Sequence, residues 1–170
     1  IMASALVGYI LGVPPRRIKE SIKNFQGLEH RLEKVTTFKG VDFYDDSKAT
    51  NIDATLKSIQ SFEQKIILIL GGRDKGGDFK KLRKPIKKRV KGIVLIGEAK
   101  EKIQKALKGT VLMKTASSVE EAVQLGYSLA GPGEVVLLAP ACTSFDMFQN
   151  FEERGRAFKQ EVLSLERKAG

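Results

Sequence analysis

Four short, almost unbroken apolar runs constrain this chain more than anything else in it: 66–70 (IILIL), 93–96 (IVLI), 110–113 (TVLM) and 134–138 (EVVLL). A strand with one face in water alternates apolar and polar side chains, so continuous runs predict strands covered on both faces. Between and after the runs, apolar residues recur at helical spacing: Ile52, Leu56, Ile59 and Phe62; Ala99, Ile103, Ala106 and Leu107; Val119, Ala122, Val123, Gly126 and Leu129; and finally Phe151, Phe158, Val162 and Leu165.

Strands that alternate with helices define an α/β domain, with a mostly parallel, Rossmann-like sheet and helices on both faces. Upstream, LEKVTTF (32–38) and VDFYDD (41–46) flank Lys39 and Gly40, which predicts a β-hairpin forming an N-terminal edge of that sheet. Before the hairpin, Ile18, Ile22 and Phe25 follow the Pro14-Pro15 pair at helical spacing, and Gly27 is a stop. GLEHR, residues 27–31, reads as a linker. No internal repeat or low-complexity tract is present.

Of the chain's 170 residues 42% are hydrophobic and 29% charged, enough to bury the core of one domain. No apolar run approaches the roughly 18 residues of a membrane span. The single cysteine, Cys142, excludes an internal disulfide framework, and the single histidine, His30, excludes paired-histidine metal sites. A cytoplasmic location is the default. The apolar opening, residues 1–13, lacks the basic region of a secretory signal and begins with Ile1, so it reads as the tail of a helix from a domain upstream.

The net charge of +10 comes mostly from one segment, since residues 73–91 hold ten Lys or Arg against two Asp. Such a cluster attracts polyanions, and a non-enzymatic nucleic-acid-binding module is one reading. Against it, Phe79 is the only aromatic in the segment, and Leu82, Ile86 and Val90 fall four apart, predicting one buried helical stripe under a solvated basic face.

Ligands of open α/β sheets bind beyond the carboxyl ends of the strands, and three polar loops lie there. Residues 45–51 (DDSKATN) lead into a helix, with Thr50 and Asp53 at capping-box spacing; the loop is either an anion-binding helix start or an ordinary cap. Residues 71–78 (GGRDKGGD) combine four glycines with Arg73 and Lys75, which suits an anion, although a plain glycine turn has the same composition. The G-x-x-x-x-G-K-[ST] phosphate loop is absent from the whole chain. Residues 139–150 carry Thr143 and Ser144 into the last helix. With one histidine in the chain, Ser144 is a poor candidate for a Ser-His-Asp nucleophile, and Cys142 reads as a small packed side chain.

Four blocks in order, FQGLEHRLE (25–33), FYDDSKATN (43–51), ILGGRDKGGDF (69–79) and LLAPACTSFDMFQNFEERGRAF (137–158), resemble the Mur ligases of peptidoglycan synthesis. The resemblance covers nearly the whole chain, and its SFDMFxNFEERG segment is similar to the members that add D-glutamate. It implies an ATP-dependent amide ligase that joins D-glutamate to UDP-N-acetylmuramoyl-L-alanine through an acyl phosphate. Residues 1–26 would be the last helices of a central ATPase domain, 27–31 a hinge, and 32–170 the C-terminal amino-acid-binding domain.

Carried over position by position, the resemblance implies that Thr50, Lys75, Ser144 and Phe151 hold D-glutamate, with Lys75 on a carboxylate. His30, Arg31 and Lys48 would serve catalysis; Arg31 and Lys48 would offset phosphate charge of ATP, and Asp46 would suit a ribose hydroxyl. Mg2+ would be bound by other domains, this segment alone would be inactive, and the full-length protein would be a monomer without membrane insertion or a specific nucleic-acid partner. Arg73 and Asp74 depart from the family, where Asp-Gly is common. A sibling ligase adding another amino acid is the nearest alternative.

Overall fold

The computed structural model of the chain describes residues 2–25 and 27–168, without the side chains of residues 166 and 168; Ile1 and the expected domain boundary at Gln26 lie outside the described residues. Two helices come first, α1 (Met2–Ile10) and α2 (Pro15–Asn24), the second starting at the proline pair. The hairpin follows as β1 (Glu33–Phe38) and β2 (Val41–Asp45), paired antiparallel. Lys39 (φ 48°) and Gly40 (φ 80°) are both left-handed, the geometry that matches a two-residue turn to strand twist.

The rest alternates: α3 (Ile52–Gln60), β3 (Ile66–Gly71), a 3-10 turn at Phe79–Leu82, α4 (Arg83–Arg89), β4 (Val90–Ile96), α5 (Lys100–Leu107), β5 (Leu112–Thr115), α6 (Val119–Leu129), β6 (Val135–Leu138) and α7 (Phe151–Lys168). The six strands form one sheet in the order β1-β2-β6-β3-β4-β5, parallel throughout except for β1. This is the expected α/β architecture, hairpin edge included.

The sheet separates two cores. Ile66, Leu68 and Leu70 of β3 join Ile59, Phe79, Leu82, Ile86, Ile103 and Leu107 on the face covered by α3, α4 and α5. Ile67 and Ile69 point the other way, to Ala122, Val123, Phe158 and Val162 of α6 and α7. Every residue of β3 is therefore buried, which is why its sequence does not alternate.

Three expectations are corrected. The 110–113 run is not a doubly covered strand: β5 starts at Leu112, is the sheet edge, and leaves Leu112 57% exposed, because it has a neighbour on one side only. Val90 does not continue the helical stripe of Leu82 and Ile86; α4 ends at Arg89 and Val90 opens β4, paired with Ile66. The cap of α3 is Asn51, not Thr50: Asn51 Oδ1 accepts from Ala54 N at 2.9 Å. The lysines of 80–88 do face solvent, with Leu82 and Ile86 beneath them.

Candidate functional site

Strands β2, β6 and β3 are adjacent and parallel, so the three polar loops leave their carboxyl ends side by side. They flank the place where the chain's connections diverge to opposite sides of β3, the position at which open α/β sheets hold ligands. Backbone hydrogen bonds tie the loops together. Ala141 N donates to Ala49 O (2.9 Å), Arg73 N to Thr143 O and Thr143 N to Arg73 O (3.0 Å each), while Thr55 Oγ1 donates to Ala139 O (3.2 Å).

Two glycines make this closeness possible. Gly71 (φ 130°) and Gly72 (φ 132°) have left-sided backbones, and a Cβ on them would run into the carbonyl oxygens of Ile96 and Thr143. Away from the hairpin turn, the non-glycine residues with positive φ among the described residues are His30 (61°), Leu32 (47°) and Ala141 (57°), all in segments that border the site. Backbone held in such a region costs on the order of 1–3 kcal/mol and persists where the surroundings fix it.

Arg31, Lys48 and Lys75 stand at this end, and among the described residues none has a carboxylate within ion-pair distance. Arg31 and Lys75 are exposed; Lys48 is half-buried, its Nζ 3.7 Å from the centroid of the Phe151 ring. Lys48 N also donates to His30 O (3.2 Å), joining the 45–51 loop to the segment after the linker. Thr50 is half-buried and Ser144 is 2% exposed, its carbonyl accepting from Met147 and Phe148.

His30 is 2% exposed and its Nδ1 donates to Asp45 Oδ2 (2.6 Å), with the Phe151 ring nearly perpendicular to the imidazole. That bond assigns the proton of a neutral ring to Nδ1 and leaves the lone pair on Nε2. His30 Nε2 is a buried nitrogen without a hydrogen-bond partner among the described residues, with Glu29 Oε1 3.6 Å away. Burial raises the pKa of Asp45 against the opposing bonds from His30 and Ser47 N. Asp46 is 8% exposed, and burial likewise raises its pKa despite bonds from Ser58 Oγ and Leu32 N. Cys142 is buried and its thiol is pushed up to about 12, a packed side chain and not a thiolate.

The structure brings in residues that the sequence reading passed over. Arg154, 3% exposed, donates through Nε to Ser47 Oγ (2.9 Å), Nη2 to Ser47 O (2.9 Å) and Nη1 to Cys142 O (3.2 Å). Ser47 Oγ in turn donates to Phe151 O (2.7 Å). Gly155 lets the α7 backbone touch the His30–Asp45 pair, where a Cβ would collide. One sign of both was available: Arg154 and Gly155 sit three and four residues after Phe151, on the helix face that Phe158 and Val162 bury, and a glycine inside a helix usually has a packing reason.

An anionic group suits the three cations, whereas His30 Nε2 carries an acceptor lone pair and has Glu29 Oε1 3.6 Å away. A magnesium ion has no comparable place: Glu29, His30 and Glu33 are close enough together to hold an ion, but Lys159 Nζ already lies 2.6 Å from Glu29 and 3.0 Å from Glu33. Asn150 Oδ1 takes the amide of Glu153 at the start of α7, so that helix end is partly capped.

The geometry defines an α/β domain with three cations on the segments that border the carboxyl ends of its parallel strands. The chain belongs to the Mur ligase family: the family described as "Mur ligase, glutamate ligase domain" matches residues 30–142. The UDP-N-acetylmuramoylalanine--D-glutamate ligases of Acidobacterium capsulatum (46% identical over 164 residues, 96% of this chain, 36% of the relative) and Geotalea uraniireducens (45% over 170 residues, 100% and 38%) are similar to it. The chain spans little more than a third of the length of these relatives. In fold it is similar to MurF ligase from Thermotoga maritima in complex with ADP (TM-score 0.64, 19% identity, 96% of this chain, 38% of that one). It is also similar in fold to Mycobacterium tuberculosis folylpolyglutamate synthase complexed with ADP (TM-score 0.66, 13% identity, 89% and 37%).

Proposed function

We propose that this chain is the amino-acid-binding part of an ATP-dependent ligase that adds D-glutamate to UDP-N-acetylmuramoyl-L-alanine. The observation that carries the reading is the placement of Arg31, Lys48 and Lys75, none within ion-pair distance of a carboxylate among the described residues, on segments that meet at the ends of β2, β6 and β3. Relatives bearing that enzyme name are 42–46% identical over almost the whole chain.

In this reading Lys75 pairs with a carboxylate of D-glutamate, and Thr50, Ser144 and Phe151 orient the amino acid so that its amine meets the activated acyl carbon. Bound ATP supplies the phosphoryl group that activates the acceptor carboxyl. Arg31 and Lys48 offset phosphate charge. His30, held by Asp45, presents Nε2 to a proton or hydroxyl of the reacting groups, and Asp46 keeps the 45–51 loop against α3, where a ribose hydroxyl could reach it only after local opening. Lys159 already takes Glu29 and Glu33, and Mg2+ is assigned to other parts of the longer enzyme.

Residues 1–26 are assigned to the central ATPase domain and 27–31 to a hinge. An apolar groove of about 550 Å3 between α1 and α2, lined by Ala5, Gly8, Ile18, Ile22 and Phe25, supports a docking role for the first segment. No helix among the described residues is long and apolar enough to cross a membrane; a cytoplasmic location and a monomeric full-length enzyme are part of the proposal.

The test is ATP-dependent phosphate release by the full-length protein with UDP-N-acetylmuramoyl-L-alanine, comparing D-glutamate with L-glutamate, L-alanine, L-lysine and diaminopimelate. Release confined to D-glutamate and abolished by Lys75→Ala is expected. Release with another amino acid moves the assignment to a sibling ligase, and none with any of them overturns it.

A further inference from the structure

Arg154 is a buried cation for which the proposed reaction has no use. Its side chain lies among main chain and hydroxyl groups, 3% exposed, with no carboxylate in ion-pair distance among the described residues. Burial lowers its pKa to about 10, so it stays charged at neutral pH. A fold that needed only volume here would be better served by an apolar residue, because a buried charge without a counter-charge is costly. Asp146 and, less strongly, Asp45 add a favourable field from a distance.

The guanidinium is spent on loop backbone. Its Nε and Nη2 hold the hydroxyl and the carbonyl of Ser47, and Nη1 holds the carbonyl of Cys142. Nη1 also lies 3.2 Å from the point that a Cβ on Gly72 would occupy, so the side chain bonds two loops of the site and borders the third. The residues next to its contacts are the ones assigned to ligands: Lys48 follows Ser47, Ser144 lies two after Cys142, and the Ser47 hydroxyl accepts from Arg154 while donating to the carbonyl of Phe151. The planar fork of arginine fixes three acceptors at set angles, which lysine cannot do.

We infer that Arg154 is a positioning residue that sets the spacing between the 45–51 and 139–150 loops, and thereby the site for the acidic amino acid. The inference rests on the function proposed above.

The experiment uses the full-length enzyme after the wild type has shown D-glutamate-dependent phosphate release; if it shows none, the function fails before Arg154 is tested. Arg154→Met and Arg154→Lys are compared for the KM of each substrate. A displacement of about 1 Å in a site can cost on the order of 100-fold, so KM for D-glutamate is expected to rise by about 10-fold to 100-fold in Arg154→Met. KM for UDP-N-acetylmuramoyl-L-alanine should stay within about twofold, since general loosening of the fold would not single out one substrate. Arg154→Lys should recover only part of the loss. A folded Arg154→Met enzyme with wild-type KM for D-glutamate overturns the inference, as does an equal rise for all substrates. If Arg154→Met does not fold, Arg154→Lys and Ser47→Ala decide by the same KM comparison, and failure of all three to fold assigns Arg154 a purely structural role and overturns the inference.

Discussion

The ammonium of Lys48 lies 3.7 Å from the centre of the Phe151 ring, joining residues more than 100 positions apart in sequence. The same ring stands nearly perpendicular to that of His30, with 6.2 Å between the centroids, so one aromatic side chain packs against a cation and an imidazole together. Phe151→Leu keeps the apolar volume but removes the ring face. It should lower kcat of the full-length enzyme by about 10-fold while shifting the unfolding midpoint little, because a cation–π contact at a half-exposed site is worth only about 0.5–1 kcal/mol. Kinetics and thermal unfolding of the same preparation check this.

Gly155→Ala tests the close approach of α7 to His30. In an open helix the change would stabilise by about 1 kcal/mol, but here the added Cβ meets His30 Nδ1 and Asp45 Oδ2. Breaking a buried hydrogen-bonded pair costs about 1–3 kcal/mol, so the net effect should be destabilising. A urea midpoint above the wild-type value would show that the pair is not held as described.

Asp46 gives a prediction about pH. Burial, outweighing the Ser58 and Leu32 bonds, raises its pKa above the ordinary 3.8, so in the interval above 3.8 the folded domain holds a proton that the unfolded chain has lost. Stability from this residue therefore falls as pH rises through that interval and is constant beyond the raised folded value. Asp46→Asn removes the dependence. The melting temperature of Asp46→Asn minus that of wild type should grow as pH increases from about 4 and then level off. A difference that shrinks with pH would reverse the sign assigned to Asp46.

Phe158 is fully buried in the core under α6 and α7, away from the polar loops. Phe158→Ala should cost about 3–5 kcal/mol in denaturant unfolding. Phe158→Leu should cost much less, and a comparable loss in both would mean that the site tolerates no change of shape at all.

The proposed hinge is testable at Gly27, whose φ of 89° excludes the value near −65° that proline requires. Gly27→Pro is therefore expected to reshape the linker as well as stiffen it, lowering turnover of the full-length enzyme more than it perturbs the fold of 32–168. Unchanged turnover would remove the hinge assignment. The other end of the segment is already anchored, since His30 is bonded to Asp45 and Lys159 holds Glu29 and Glu33.

By itself the sequence determined the α/β class, the hairpin and three of the four core strands, because burial on both sheet faces and the 3.6-residue period are local patterns that a chain displays before it folds. It also displayed the polar loops and the cations on them, since loop composition is local too. The edge position of β5 could not be read, because an apolar run looks alike with one neighbour or two. The cap at Asn51 was missed by one residue, since Thr50 and Asn51 are equally suited to it. Arg154, Ser47 and Gly155 became visible only when α7 returned across the loops: a guanidinium that bonds residues 107 and 12 positions away has no local signature, and only tertiary packing decides which carbonyls it meets.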